Sequence, residues 1–399
     1  MQLIKTDIKN KVLDTVIELL DKRRQEIIEA NKKDLEAFNK EDRAMYDRLI
    51  VDDKKVDGMI RSVQEVRNQV DPVGQVISEI DREDGLKIIN KTAPFGTIMI
   101  IYESRPDVTV EAAVLAFKAN NRILLKGGKE AINSNEVLVD VWHEALKANG
   151  LTPDYVKLLK LQRAETQEFL KNPTEQIDLI VPRGGERLIQ FVKENASCPV
   201  LVSGRGNNFI YVDHTADWGQ SIKVILNAKT DKISACNALD KILLDRRIPD
   251  LDKKLVHLQK NLHEYEVELL VDQQVKEILH DEAEIENEET WYEEFLALKA
   301  CVALVSDEKE AIEKINKYSG GHSSAIMTTD RHKAENFMQQ VDSGAVYHNA
   351  STRFTDGGQM GVGAELAIST DKLHHRGPLG LEQLVTNKYY VYGQGHIRV

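Results

Sequence analysis

Cysteine is scarce in this chain, with three in 399 residues, at positions 198, 236 and 301. An odd, widely spaced set excludes a disulfide framework and a cysteine-based metal cluster, and it fits a reducing cytoplasm. Long apolar runs are missing as well. Nothing approaches the roughly 18 apolar residues of a membrane span. The opening MQLIKTDIKNKVLDTVIELLDKRR alternates charge with apolar residues at helical spacing and lacks the apolar block of a secretory signal. Positive charge is not in excess: 53 Lys and Arg stand interleaved with 65 Asp and Glu, a formal net charge of −12. That balance argues against nucleic acid, which needs a basic face, and leaves small anions to be held locally. The acidic run DEAEIENEE at 281–289 holds no histidine and no recurring ligand spacing, so no metal site is expected. Internal repeats and low-complexity linkers are absent, which places any chemistry between packed units.

What is present is a chain 42% hydrophobic and 30% charged, enough for two or three units with cores of their own. Residues 9–70 read as two or three amphipathic helices with Ile17, Leu20, Ile27 and Ile28 on one stripe. Two short alternating runs around Glu83, Asp84 and Gly85 predict a hairpin. From TIMIIY at 97 to CPVLVSG at 198–204 strand and helix patterns alternate, and the alternation restarts after Cys236. Such a pattern predicts α/β units with parallel sheets. The tail NKYYVYGQGHIRV reads as one more strand, which needs an existing sheet edge to pair with.

Two glycine turns stand out. RILLKGG ends a strand in Lys126, Gly127 and Gly128, and IDLIVPRGGERLI runs through Arg183 into Gly184 and Gly185 at a helix start. Glycines and a cation at the carboxyl end of a strand let backbone N–H groups and the helix dipole hold phosphate. Neither turn is a GxGxxG or Walker loop, and each alone is also an ordinary strand-to-helix turn; together they point to a nucleotide site.

The blocks PFGTIMIIYESRPDVTVEAAVLAFKANNRILLKGGKEA, IDLIVPRGGERLI, NAKTDKISACNALDKILL, INKYSGGHSSAIMT and YHNASTRFTDGGQMGVGAELAISTDKLHHRGPLGLEQL resemble those of the gamma-glutamyl phosphate reductase family. That family lies within the aldehyde dehydrogenase superfamily, and the resemblance runs from the first helices to the end of the chain. It implies NADPH-dependent reduction of gamma-glutamyl phosphate to glutamate 5-semialdehyde, a proline precursor. The implied fold is aldehyde dehydrogenase-like: a Rossmann-type nucleotide domain (1–72, 94–229 and 366–386), a second α/β catalytic domain (230–365), and a β oligomerisation element formed by the 73–93 hairpin and the 387–399 tail. A homo-oligomer follows, as does functional coupling to the glutamate 5-kinase that supplies the acyl phosphate.

Residue by residue, the resemblance makes Cys236 the nucleophile, whereas Cys198 and Cys301 sit in strand-like runs as buried thiols. A thiolate suits an acyl phosphate because it expels phosphate and leaves a thioester able to accept hydride. Lys229 and Lys232 lower the Cys236 pKa if they fold towards it, or are exposed charges. Asn237 either orients the oxyanion or caps local backbone; the backbone N–H of Cys236 is the family's oxyanion donor, and Ser104 stands where the superfamily has a helper asparagine. NADP(H) falls to Lys126, Gly127, Gly128, Arg183, Gly184, Gly185 and Glu294, the last matching the superfamily glutamate that holds the nicotinamide ribose. The substrate α-carboxylate falls to Arg105 in YESRPDV and to Ser351, Thr352 and Arg353 in NASTRFTDG, since a guanidinium fork or clustered donors hold a carboxylate best. Ser203 stands near the place of the glutamate with which oxidising relatives hydrolyse the thioester. The alternatives are an oxidising aldehyde dehydrogenase of another substrate and a catalytically inactive scaffold with the same fold.

Overall fold

The computed structural model describes residues 2–38 and 43–398, and the chain divides into two compact units. The first comprises residues 1–202, 361–367 and 379–399. Its centre is a four-stranded parallel sheet whose strands are enriched in β-branched and leucine side chains, as sheets buried on both faces require. A hairpin precedes it, made of β1 (Val76–Asp81) and β2 (Lys87–Pro94). The sheet then contains β3 (Thr97–Tyr102), β4 (Arg122–Lys126), β5 (Val156–Leu158) and β6 (Leu179–Arg183) in the order β5-β4-β3-β6. The chain steps outward from β3 to β5 and then returns to the other side of β3. That makes the carboxyl ends of β3 and β6 the switch point where ligands bind in open parallel sheets.

Helix Pro106–Lys118 follows β3 with proline at its first turn, where the missing N–H is no loss. It is buried almost all round, so its sequence carries no amphipathic stripe. Four helices, Thr6–Lys22, Arg24–Ala37, Arg43–Leu49 and Asp53–Asn68, form the N-terminal region. Val12, Leu13, Val16, Leu20 and Ile27 enter the core, and the expected stripe members Ile17 and Ile28 pack against it part-buried. Two buried lysines fasten these helices. Lys9 Nζ pairs with Asp71 at 2.8 Å and donates to Lys118 O, while Lys118 Nζ donates to Asn10 Oδ1 and Arg67 O.

The hairpin forms as predicted: β1 and β2 pair antiparallel from Asp81↔Lys87 upward, and Gly85 at φ 86° makes the turn that a Cβ would strain. The C-terminal strand Val385–Tyr392 finds its edge within the chain, on β2, from Val385↔Pro94 to Tyr392↔Lys87.

The second unit comprises residues 203–360 and 368–378. It holds β7 (Asn208–Val212), β8 (Leu239–Asp245), β9 (Glu268–Val271), β10 (Ala283–Glu284), β11 (Lys299–Val305), β12 (Ser323–Met327) and β13 (Ala345–His348). All pair in parallel, in the order β10-β9-β11-β8-β7-β12-β13. The domain limits read from the sequence need correction here. The division falls at 202/203 and not at 229/230, because β7 lies between β8 and β12 and carries helix Trp218–Thr230 with it. Residues 368–378 likewise join the second unit, and the hairpin and tail belong by contact to the first. The run CPVLVSG, read as a strand, makes only a single bridge, Val200 to Ile180. Among the described residues no helix is long and apolar enough to cross a membrane.

Deleting residues 388–399 strips the C-terminal strand from Lys87–Lys91 of β2 and leaves that edge open. The shortened chain is expected to be less soluble and to aggregate through that edge, seen as faster-sedimenting material in sedimentation velocity; an unchanged profile would show that the strand is not needed to cover β2.

Candidate active site

Cys236 sits half-buried in a turn between helix Trp218–Thr230 and β8. Backbone in such a turn has no ladder to join, so its carbonyls need other donors. Asn208 supplies them from the first residue of β7. Its buried Nδ2 lies 2.7 Å from Cys236 O, 2.7 Å from Gly206 O and 2.6 Å from Ala238 O, and its Oδ1 accepts from Ser323 N. Gly206 lies so close that a Cβ there would collide with the Cys236 backbone, which is why this position is glycine. Sequence reasoning missed both residues, although they follow Ser203 directly in SGRGNN. The signal was a small residue followed by two amides at the start of a strand.

Asn237 resolves to its second reading. Its Nδ2 donates to Arg353 O at 3.2 Å and Thr355 O at 2.9 Å, so the amide ties the 351–355 loop and is not aimed at an oxyanion. Thr352 returns the bond, its hydroxyl donating to Asn237 O at 2.8 Å. Thr352 is fully buried, which corrects its expected place as a substrate ligand: it locks the two loops together. Ser351 Oγ accepts from Arg353 N and starts the short turn Thr352–Phe354. Arg353 Nε pairs with Asp231 Oδ2 at 3.1 Å, within the same unit. The structure therefore brings Cys236, Asn237 and Ser351–Arg353 together.

Lys229 does not turn towards the thiol. It is buried and paired with Asp240 at 3.0 Å, so it is unavailable to Cys236; Lys232 is exposed. Cys301 lies wholly inside β11, and burial pushes its thiol up to about 12 against the pull of Lys241. Cys198 lies in a bend, half-buried, its pKa also raised by burial. Glu294 is half-buried on an irregular stretch before β11.

In the first unit the glycine turns sit at the carboxyl ends of β4 and β6, as expected. Lys126 Nζ donates to Gly127 O at 2.8 Å, and burial lowers its pKa. Gly127 packs against Asn135 and Tyr102, and Gly128 against the Glu130 carboxylate, with no room for a Cβ at either. That carboxylate accepts from Ser104 N at 2.9 Å and Ser104 Oγ at 2.7 Å, holding Ser104 in the left-handed region at φ 41°. The Ser104 hydroxyl is thus committed to Glu130. At the other turn Glu103 Oε2 accepts from Gly185 N at 3.3 Å, so a carboxylate stands at the start of helix Glu186–Asn195, and no atom crowds Gly185. The second turn fits a phosphate-bearing cofactor, since its Gly185 amide already takes an anionic oxygen at a helix start. Arg183 departs from its expected role, since Nη1 donates to Leu366 O at 2.6 Å and Glu365 O at 3.2 Å, fastening the returning segment. Arg105 pairs with Asp107 at 2.9 Å, and Lys55 meets the same oxygen at 3.0 Å. Burial alone would raise the Asp107 pKa, but the two cations hold it at about 2.

A parallel α/β unit with glycine turns at its strand ends and a second α/β unit presenting a cysteine on a built turn define an aldehyde dehydrogenase-type enzyme. Residues 2–276 and 283–365 match the aldehyde dehydrogenase family. Gamma-glutamyl phosphate reductase of Thermotoga maritima is 43% identical over 393 residues, covering 98% of this chain and 94% of that one. The enzyme of the same name from Clostridium perfringens is 44% identical over 395 residues, with 98% and 94% covered. The crystal structure of the Thermotoga maritima reductase superposes with a TM-score of 0.94 at 43% identity, covering 99% of this chain and 95% of that one. The chain belongs to the aldehyde dehydrogenase family and, within it, to the gamma-glutamyl phosphate reductases.

From Thr355, which Asn237 meets, runs a chain of polar groups that is buried except at the half-buried Tyr347. His322 Nδ1 meets Ser323 Oγ at 2.7 Å, Ser323 Oγ meets Thr355 Oγ1 at 2.7 Å, and Thr355 Oγ1 meets Tyr347 OH at 2.7 Å. Burial lowers the His322 pKa to about 4, so the fold keeps the imidazole neutral. Between an ordinary value near 6.5 and about 4 the unfolded chain takes up a proton that the folded one refuses. Stability is therefore expected to fall as pH drops through that window. His322→Asn should flatten this limb in denaturant titrations between pH 6.5 and 4; an unchanged slope would remove His322 as its source.

Proposed function

We propose that this chain reduces gamma-glutamyl phosphate to glutamate 5-semialdehyde and phosphate through a thioester on Cys236, with NADPH as the hydride donor. The observation that carries this reading is the presentation of Cys236. It is half-buried on a turn whose carbonyls are met by a dedicated asparagine, whereas Cys301 is sealed in a strand.

The steps follow from the residues. Cys236 Sγ attacks the acyl carbon; the C–S bond forms, the bond to the phosphate oxygen breaks, and phosphate leaves with that electron pair. The backbone N–H of Cys236 donates to the developing oxyanion. A bound reduced nicotinamide supplies the hydride that takes the thioester carbon to the aldehyde oxidation level. Collapse of the thiohemiacetal breaks the C–S bond, returns the thiolate and releases the semialdehyde. Ser203 offers no carboxylate to activate water, which favours transfer to hydride over hydrolysis of the thioester. Lys126, Gly127, Gly128, Gly184 and Gly185 bind the cofactor phosphates and ribose, and Glu294 holds the nicotinamide ribose. Arg353, whose Nε is held by Asp231, is the residue we assign to the substrate α-carboxylate; Arg105, paired with Asp107, is the second guanidinium candidate. The protein works in a reducing cytoplasm as a homo-oligomer, coupled to the kinase that makes its labile substrate.

The direct test runs the reaction in reverse, following NADP reduction with glutamate 5-semialdehyde in the presence and absence of phosphate. Turnover is expected only with phosphate, and Cys236→Ser should abolish it while cofactor binding persists. Phosphate-independent turnover would identify an oxidising aldehyde dehydrogenase instead.

Arg353→Lys keeps the charge and loses the fork. It is expected to raise KM for the semialdehyde about tenfold, equivalent to about 1.4 kcal/mol, with KM for NADP unchanged. A semialdehyde without the α-carboxylate should be used poorly by both forms; equal losses on both substrates would assign Arg353 to phosphate or to the fold.

A further inference from the structure

The stretch around Glu294 belongs to no helix or strand between Tyr292 and Lys299, yet side chains meet its backbone one residue after another. Asn207 Nδ2 donates to Trp291 O at 2.6 Å, Arg205 Nη1 to Tyr292 O at 3.2 Å and Lys241 Nζ to Glu293 O at 2.8 Å. On the far side of Glu294, Asp240 Oδ2 accepts from Phe295 N at 3.2 Å. Glu294 is therefore bracketed by Lys241 and Asp240.

These two residues are consecutive on β8, and consecutive side chains on a regular strand point to opposite faces. Here the register explains their agreement. Asn208 pairs with Leu239 and Phe209 with Lys241, so Asp240 is an extra residue, a β-bulge. A bulge re-aims side chains, and this one sits where β8 emerges from the Cys236 turn. Lys241 is fully buried, with its ammonium 3.8 Å from the centroid of the Phe295 ring. A buried cation is costly and is commonly retained to balance a carboxylate. Asp240 does act on the Lys241 charge, but the close ion pair with Asp240 is made by Lys229, and Lys241 gives its hydrogen bond to the Glu293 carbonyl.

We infer that Asp240 and Lys241 are positioning residues that fix Glu294 in register with the Cys236 turn, so that the strand leaving the nucleophile also sets the cofactor-holding carboxylate. The inference rests on the proposed role of Glu294. The clamp grips the backbone on either side of Glu294, through the Glu293 carbonyl and the Phe295 amide.

The test is a double-mutant cycle in the full-length enzyme with Lys241→Met and Glu294→Gln. Lys241→Met is expected to lower kcat about tenfold and raise KM for NADPH about fivefold. KM for the acyl substrate and the rate of Cys236 alkylation by iodoacetamide should remain within about twofold. In the Glu294→Gln background the same change should add less than about twofold, since the group being positioned is already lost. Lys241→Gln, which retains a donor of shorter reach, should recover part of the activity, and it carries the cycle if Lys241→Met does not fold. Losses that multiply in the Glu294→Gln background, or a slowed alkylation matching the loss of kcat, would overturn the inference and leave the role of Glu294 standing. A Glu294→Gln enzyme with normal kcat and NADPH use would overturn that role and the inference with it.

Discussion

A reactive turn cannot be part of a sheet ladder, and a half-buried backbone that is outside a ladder must find a donor for every carbonyl. The second unit is organised around that requirement. At the Cys236 turn the donor is the Asn208 amide, which meets the carbonyls of Gly206, Cys236 and Ala238 at once. At the Glu294 stretch the donors are Asn207, Arg205 and Lys241. Residues 205–208 therefore serve both: Gly206 and Asn208 face the nucleophile, and Arg205 and Asn207 face the carboxylate segment. An apolar side chain at Asn208 would take the amide donor away from these carbonyls, and any Cβ at position 206 would push the Cys236 backbone away.

The 351–355 loop follows from the same constraint. Asn237 donates to the Arg353 and Thr355 carbonyls, Thr352 donates to the Asn237 carbonyl, and Thr355 continues into the polar chain through Ser323 to His322. Fixing the turn and the loop together places the nucleophile and Arg353 in one frame. The first unit answers a different demand. Glycines stand where β4 and β6 end, with Glu130 holding Ser104 beside the first turn and Glu103 accepting from the Gly185 amide at the second.

The fold class was legible because strand and helix periods alternate cleanly from Thr97 onward, and the hairpin because Glu83–Gly85 carry turn chemistry between alternating runs. The family itself was legible through its sequence blocks, and the same blocks single out Cys236 as the candidate nucleophile. The domain boundary was not, because β7 looks like any other strand: only pairing with β8 and β12, far apart in sequence, assigns it to the second unit. Lys229 and Arg183 misled for one reason. A cation near a reactive or glycine-rich block reads as available, and nothing local shows that Asp240 or the carbonyls of residues 365 and 366 will claim it. Asn208, Gly206 and the Asp240 bulge escaped notice because their effect is on backbone they meet only after folding.

The central claim is that Cys236 carries the acyl group. It is tested most directly by incubating the enzyme with glutamate 5-semialdehyde and NADP in phosphate-free buffer, quenching in acid and mapping the cysteine peptides by mass spectrometry. The account predicts a glutamyl thioester on the peptide containing Cys236, discharged on adding phosphate, with Cys198 and Cys301 unmodified. An adduct on either of those cysteines, or a Cys236 peptide left unmodified while NADP is reduced, would contradict it.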